Sequence, residues 1–272
     1  MLKHIGRIRR GLYLAASSLA VVLCAERLGP LQAEPTEFPP SKVYATAWGL
    51  TLATDGGGFY NDLGRYVLQG LNIGYDIEPY RRAMRRFYEE QSSCIFPKSI
   101  LGLIRTKDID NSAGFIQSTP IQRTFVAVFA PPGKPAVHGP EELAGKRVAY
   151  AMGAKVPEYL GADGAFFIAV ANEVDKARML LTGRVDVMVG NLPDAGLVYS
   201  HLGSALPPYD PSYRPFPAAS SRIVCHDTPG NRAFMDQLNR RIQTLHQSGD
   251  LKRFYEGYGL NASLYLDRLD TD

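Results

Sequence analysis

The chain has 272 residues, 45% of them hydrophobic and 21% charged, with three cysteines and a formal charge of +3. This composition excludes a disordered, collagenous or disulfide-dense chain and leaves room for two modest α/β lobes. The basic excess sits in residues 1–33, where Lys3, Arg7, Arg9, Arg10 and Arg27 against Glu26 give a net +4; the remainder carries −1, which offers no electrostatic case for nucleic-acid binding.

Residues 1–33 read as an export signal. A basic run through Arg10 precedes an apolar stretch over 11–24 that is short for a membrane span, and Ala33 stands before Glu34-Pro35 as the first choice of cleavage point, with Ala25 the second. Leu23 is bulky where a lipobox needs a small residue, so Cys24 is not read as a lipid anchor. The expected location is the periplasm.

An extended lead-in over 34–41, rich in proline, feeds a strand at 43–47. A loop with the tip Asp55-Gly56-Gly57-Gly58 follows, then a helix over 59–70 with Phe59, Leu63, Tyr66 and Val67 inward. A strand at 73–77 leads to a helix opened by Pro79, with Tyr80, Met84, Phe87 and Tyr88 as its stripe. A strand at 93–96 then ends in Pro97-Lys98-Ser99. This β-α-β-α-β order predicts a doubly wound α/β lobe. Residues 101–122 read as irregular, with Arg105, Lys107, Asp108 and Asp110 exposed and a turn at Gln117-Ser118-Thr119-Pro120.

The second half repeats the pattern. Strands are expected at 125–129, 146–150 and 166–170, the middle one opening onto Ala151-Met152-Gly153-Ala154-Lys155, with a helical turn at 140–143 and a helix at 157–160. The clearest unit runs over 172–194. Asn172 is a good N-cap, Glu173 and Asp175 complement the helix dipole, and Val174, Ala177, Leu180 and Leu181 form one face. Gly183 closes this helix, 185–189 is a buried strand, and Pro193 starts the next helix after Gly190-Asn191-Leu192. A proline-rich excursion over 206–217, a strand at 222–225, helices at 229–248 and 251–258 and a polar tail complete the chain.

Ligands of open α/β sheets bind outside the carboxyl ends of strands, so the strand mouths supply the site candidates. These are Lys98 and Ser99 at one mouth, Lys155 at a second, and Asn191 and Asp194 at a third, with Trp48 and Phe96 as aromatic platforms and Arg105 beyond the first mouth. Each also has a plainer reading: surface lysines, core aromatics, helix caps, and an arginine paired with Asp108 or Asp110. Cys94 and Cys225 both lie in expected strands, which leaves a disulfide and two buried thiols as alternatives. The spacing of cysteine and histidine suggests no metal site, and no nucleotide or hydrolase motif is present, so no cofactor is expected.

Several motifs in series resemble the bacterial extracellular solute-binding proteins of family 3, the type II periplasmic binding proteins of ABC importers. They are Gly58-Phe59-Tyr60-Asn61-Asp62-Leu63, Glu78-Pro79-Tyr80-Arg81-Arg82-Ala83, Ser118-Thr119-Pro120, Glu142-Leu143-Ala144-Gly145-Lys146-Arg147-Val148, Gly183-Arg184-Val185-Asp186 and Ser248-Gly249-Asp250-Leu251-Lys252-Arg253-Phe254-Tyr255-Glu256. The resemblance implies two doubly wound α/β lobes joined by crossover strands near 121–124 and 220–222. Lobe 1 would be 34–121 plus 220–272 and lobe 2 would be 122–219, with Cys225 on the strand beside that of Cys94. It further implies a monomer that traps a small-molecule solute by hinge closure and passes it to an ABC transporter permease. This chain departs from the pattern at the ligand. Arg105 stands one residue beyond the usual carboxylate-clasping arginine, Asn191 is neutral where the ammonium-binding carboxylate falls, and Gly153-Ala154-Lys155 lacks the hydroxyl of the anion loop. A standard α-amino acid is therefore disfavoured, and Lys98 and Lys155 favour an anion. The alternatives are a cleft dehydratase using Glu78 or Asp194, and a periplasmic interaction module without a ligand.

Overall fold

The alternation of short apolar runs with amphipathic segments resolves, in a computed structural model describing residues 42–267, into two α/β layers that share a pair of long strands. The expected export signal over 1–33 lies outside the described residues. The first half comprises β1 (Lys42–Ala47), α1 (Phe59–Leu68), β2 (Gly74–Pro79), α2 (Tyr80–Glu89), β3 (Ser93–Lys98), α3 (Ile100–Thr106) and β4 (Phe115–Gln117). The second comprises β5 (Gln122–Phe129), a 3-10 turn (Pro140–Leu143), β6 (Arg147–Ala151), α4 (Val156–Leu160), β7 (Phe166–Val170), α5 (Glu173–Leu181), β8 (Val187–Leu192) and α6 (Asp194–His201). The chain returns through β9 (Ala219–His226) to α7 (Pro229–Gln247), α8 (Asp250–Gly257) and α9 (Ser263–Leu266).

Strand order explains how two layers arise from one chain. β2, β1 and β3 are parallel neighbours, and β3 pairs antiparallel with β9. β7, β6 and β8 are likewise parallel, and β8 pairs antiparallel with β5. The groups meet only where Gln122, Arg123 and Thr124 of β5 pair with Ser221, Ser220 and Ala219 of β9. Beyond that short ladder each strand belongs to its own layer: 125–129 of β5 runs along β8, and 223–226 of β9 runs between β3 and β4. This is the two-lobed, doubly wound architecture with two crossover strands.

Strands buried on both faces need apolar residues at successive positions, and the central ones have them. In β8, Val187 and Val189 face one core with Val128, Val148 and Leu143, while Met188 faces the other with Tyr199 and Val198. In β3, Cys94 and Phe96 face one core and Ile95 the other. Cys94 and Cys225 are direct cross-strand partners, fully buried, and joined by a disulfide.

The structure adjusts several sequence expectations. The stretch read as irregular after residue 101 contains α3 and β4. α3 is only seven residues long with Gly102 inside, too short for a periodic pattern, and its ends are held by contacts distant or local. Ser99 accepts from the Gly102 N–H at one end, Gln117 accepts from the Ile100 N–H, and left-handed Lys107 (φ 61°) closes the other end. The strand expected at 185–189 is displaced to Val187–Leu192, because β5 pairs with it as far as Leu192. Asn191 thus lies within a strand, and the following helix begins at Asp194, one residue past Pro193. The tail folds into α9, where Tyr265 stacks on Phe125.

The disulfide closes a loop of 131 residues. Reducing it is expected to lower the unfolding free energy by about 2–5 kcal/mol. Urea unfolding of the oxidised protein and of protein fully reduced in denaturant checks this: coincident midpoints would show that the bond adds nothing to stability.

Candidate functional site

Two adjoining cavities, about 310 and 410 Å³, open at the carboxyl ends of β3, β6 and β8. They share Thr106, Ala151, Glu173 and Asn191 and so form one cleft between the two strand layers. Their combined size suits a small organic molecule.

The larger cavity is the more polar. Trp48, Lys98, Ser99, Asn191 and Asp194 line it. Arg105, Lys155 and again Asn191 line the smaller one, whose walls include Val126, Val156, Val189 and Phe216. The cleft therefore gathers residues spread over most of the chain. Phe96 is not among them. Its ring is fully buried in the core beside Tyr75 and lines neither cavity, because the odd positions of β3 and the even ones face opposite packed layers. Ser99 lines the cleft but is mostly buried, and its hydroxyl oxygen accepts from the Gly102 N–H, so it is also the cap of α3.

Asp194 is the most heavily engaged of these groups. The hydroxyl of Thr51 and the indole N–H of Trp48 (3.2 Å) donate to one carboxyl oxygen, and the Tyr60 hydroxyl (3.1 Å) donates to the other. All three donors come from the layer of β1, whereas Asp194 begins α6 against the layer of β8, so the network crosses the cleft. A glycine makes it possible. Gly58 has φ 99°, and a Cβ there would lie 2.5 Å from the Leu50 carbonyl oxygen. Only glycine lets the start of α1 approach the 50–51 backbone, where the Tyr60 N–H donates to the Thr51 carbonyl at 2.9 Å. Burial pushes the Asp194 carboxyl above its usual range, and the Thr51 bond partly opposes that shift. Burial likewise holds the Tyr60 hydroxyl protonated, well above the ordinary tyrosine range.

Lys98 differs from Asp194, whose oxygens are met by three neutral donors, in resting on an aromatic face. Its ammonium lies 4.4 Å from the centre of the Tyr80 ring and forms no ion pair among the described residues. Burial lowers its pKa to about 8, with Asp108 pulling weakly the other way. Glu173, by contrast, is paired with Lys176 at 2.7 Å, and the Lys176 side chain is 1% exposed.

Sequence reasoning missed Tyr60, Thr124, Glu173, Lys176, Ser220 and Ser221, all of which line the cleft. Tyr60 stands off the Phe59, Leu63, Tyr66 and Val67 stripe of its helix and drew no separate reading, and Glu173 looked like an ordinary first-turn charge. Thr124, Ser220 and Ser221 become cleft residues only through the β5–β9 pairing. Glu78, weighed beside Asp194 as a catalytic acid, lies outside both cavities, where Arg86 (3.0 Å) and Arg82 (3.6 Å) face it. Among the described residues no cluster of histidine, cysteine and carboxylate side chains is arranged to hold a metal.

Asp194→Ala is expected to destabilise the protein by about 1–3 kcal/mol, because it strands buried donors. Asp194→Asn keeps an acceptor for Thr51 and Trp48 and is expected to cost much less. Urea midpoints of the two variants check this, and equal losses would show that the hydrogen bonds contribute nothing beyond the side chain's volume.

No family model matches the chain, and no curated protein matches it. Solved structures do. The substrate binding protein of an amino acid ABC transporter aligns with TM-score 0.59 at 16% identity over 80% of this chain and 98% of its own. The L-cystine solute receptor of Neisseria gonorrhoeae, in its unliganded open conformation, aligns with TM-score 0.59 at 16% identity over 82% and 94%. A histidine kinase sensor domain with similarity to periplasmic binding proteins gives 0.58 at 15% identity over 81% and 96%. At such low identity the likeness speaks to architecture, and with the strand order above it leads to one conclusion: the chain has the two-lobed α/β fold of the type II periplasmic binding proteins.

Proposed function

We propose that the protein is a periplasmic solute-binding receptor that captures a small, polar, anionic solute in the interlobe cleft and delivers it to the permease of an ABC importer. The observation that carries this reading is Lys98, a half-buried ammonium at the wall of a cleft whose own carboxylates are already engaged. A buried charge without a partner is costly, and an anionic solute supplies the partner. In this reading Trp48, Lys98, Ser99, Arg105, Lys155, Asn191 and Asp194 form the binding wall. The lobes are 34–121 with 220–272, and 122–219, turning about the β5–β9 ladder. The amino-terminal pattern of base followed by apolar residues supports export, and a buried disulfide suits an oxidising compartment.

Neighbours of this fold include importer receptors and a sensor domain. A sensory role is therefore the second reading, in which the same capture event is reported to a membrane kinase instead of a permease. A dehydratase reading has less support, since Glu78 is held by arginines outside the cleft and Asp194, though in it, has both oxygens occupied by Thr51, Trp48 and Tyr60.

Lys98 makes the proposal pH-testable. The titratable and charged groups around it are Tyr80, Asp108 and Arg222. Its folded pKa of about 8 lies below the ordinary 10.5, so without solute the folded state binds fewer protons than the unfolded chain between those values. Stability of the free protein is thus expected to rise with pH across that window. An anion at Lys98 restores the proton, so affinity is expected to be flat below about pH 7 and to fall up to tenfold per pH unit above about 8. Native mass spectrometry of protein purified from its own periplasm, followed by calorimetry of the copurified solute from pH 6 to 10, checks both points. No copurified molecule, together with no thermal stabilisation by any solute in a broad screen, would exclude the receptor reading.

A further inference from the structure

We propose that the solute carries two anionic groups, one held at Lys98 and the other between Arg105 and Lys155, joined by a short spacer with apolar character. A small linear dicarboxylate is the simplest member of that class. The inference rests on the receptor reading above and names its substrate class.

The first argument is the distribution of charge around the cleft. Its two carboxylates are consumed within the protein: Asp194 by Thr51, Trp48 and Tyr60, and Glu173 by Lys176. Its other cations are not. Lys98, Arg105 and Lys155 all line the cleft, and none has a carboxylate within ion-pairing distance among the described residues. Lys98 rests on an aromatic face, which accepts a cation but does not neutralise it. The cleft is thus cationic at two places, with its acidic groups already satisfied and unavailable to a ligand ammonium.

The second argument is spacing. Lys98 precedes α3 and Arg105 lies in its last turn. α3 separates the two backbone positions by about 10 Å, and the side chains line different cavities, Lys98 the larger and Arg105 the smaller, so each cavity has a cation of its own. Lys155 faces the Arg105 end from the other strand layer, so that end can hold an anion from two sides. Val126, Val156, Val189 and Phe216 line that cavity, and Asn191 stands where the two cavities join. A molecule that spans the cleft must therefore pass a partly apolar wall and a neutral amide between two cationic ends.

Calorimetric titration of the purified protein with succinate, glutarate and adipate, against butyrate, valerate and L-glutamate, tests the proposal. The expected result is that at least one dicarboxylate binds about 10- to 100-fold more tightly than its matched monocarboxylate and more tightly than L-glutamate. Lys98→Gln and Arg105→Gln are each expected to lower dicarboxylate affinity about tenfold or more, while the monocarboxylate is weakened by only one of the two. Unchanged thermal unfolding of the free variants separates these losses from misfolding. Equal binding of mono- and dicarboxylates, tighter binding of L-glutamate, or insensitivity to both substitutions overturns the proposal. If a neutral, cationic or monoanionic solute binds and no dianion does, the dianion is excluded and the receptor reading stands. If no small solute binds and none copurifies, both fall.

Discussion

Three residue pairs, Gln122–Ser221, Arg123–Ser220 and Thr124–Ala219, hold the two strand layers together. The ladder is too short to be rigid by backbone bonding alone, and it is reinforced from within. Gln122 is fully buried; its amide donates to the Ser221 hydroxyl at 3.2 Å and its carbonyl accepts from the Tyr255 hydroxyl. A buried amide with both ends satisfied specifies register, because a shifted register would leave a polar group unpaired in the core. On either side each strand leaves for its own layer.

The cleft follows from that constraint. Parallel strands of both layers point their carboxyl ends toward the ladder, which brings the ends of β3, β6 and β8 within reach of one small molecule. A cleft made this way must also be kept from collapsing on its own polar groups. The chain does so asymmetrically. Carboxylates are tied off by hydroxyls, an indole and a lysine, while Lys98, Arg105 and Lys155 line the cleft with no ion pair among the described residues. Burying Lys98 without a counter-charge costs folding free energy, and the same deficit is returned to any anion that binds there.

Asp194 ties the two strand layers together across the cleft. Its donors belong to the loop after β1 and to α1, and Gly58 sets the approach of those two segments. Lobe contact beside the cleft is therefore made by protein groups, and the outer cleft, where Trp48 and Met152 are 36% and 64% exposed, stays open.

The doubly wound pattern was legible in the sequence because periodicity and caps are local. The Asn172 cap, the left-handed Gly183 and the long helix from Pro229 all stand where their residues placed them. The strand mouths, and with them Lys98, Asn191 and Asp194, were legible for the same reason. Pairing was not. Strand β8 ends at Leu192 because β5 holds it that far, and α3 forms because Gln117, 17 residues away in sequence from Ile100, caps it. The face of Phe96, the cross-strand bond of Cys94 to Cys225 and the burial of Lys176 depend on which layer each strand or helix covers. The sequence by itself determined the longer helices and the central strands and put polar residues near the strand ends, since those follow from side-chain spacing along a single element. Only the tertiary structure decided which charges meet a partner within the chain, because that balance is set between elements that the chain brings together from far apart.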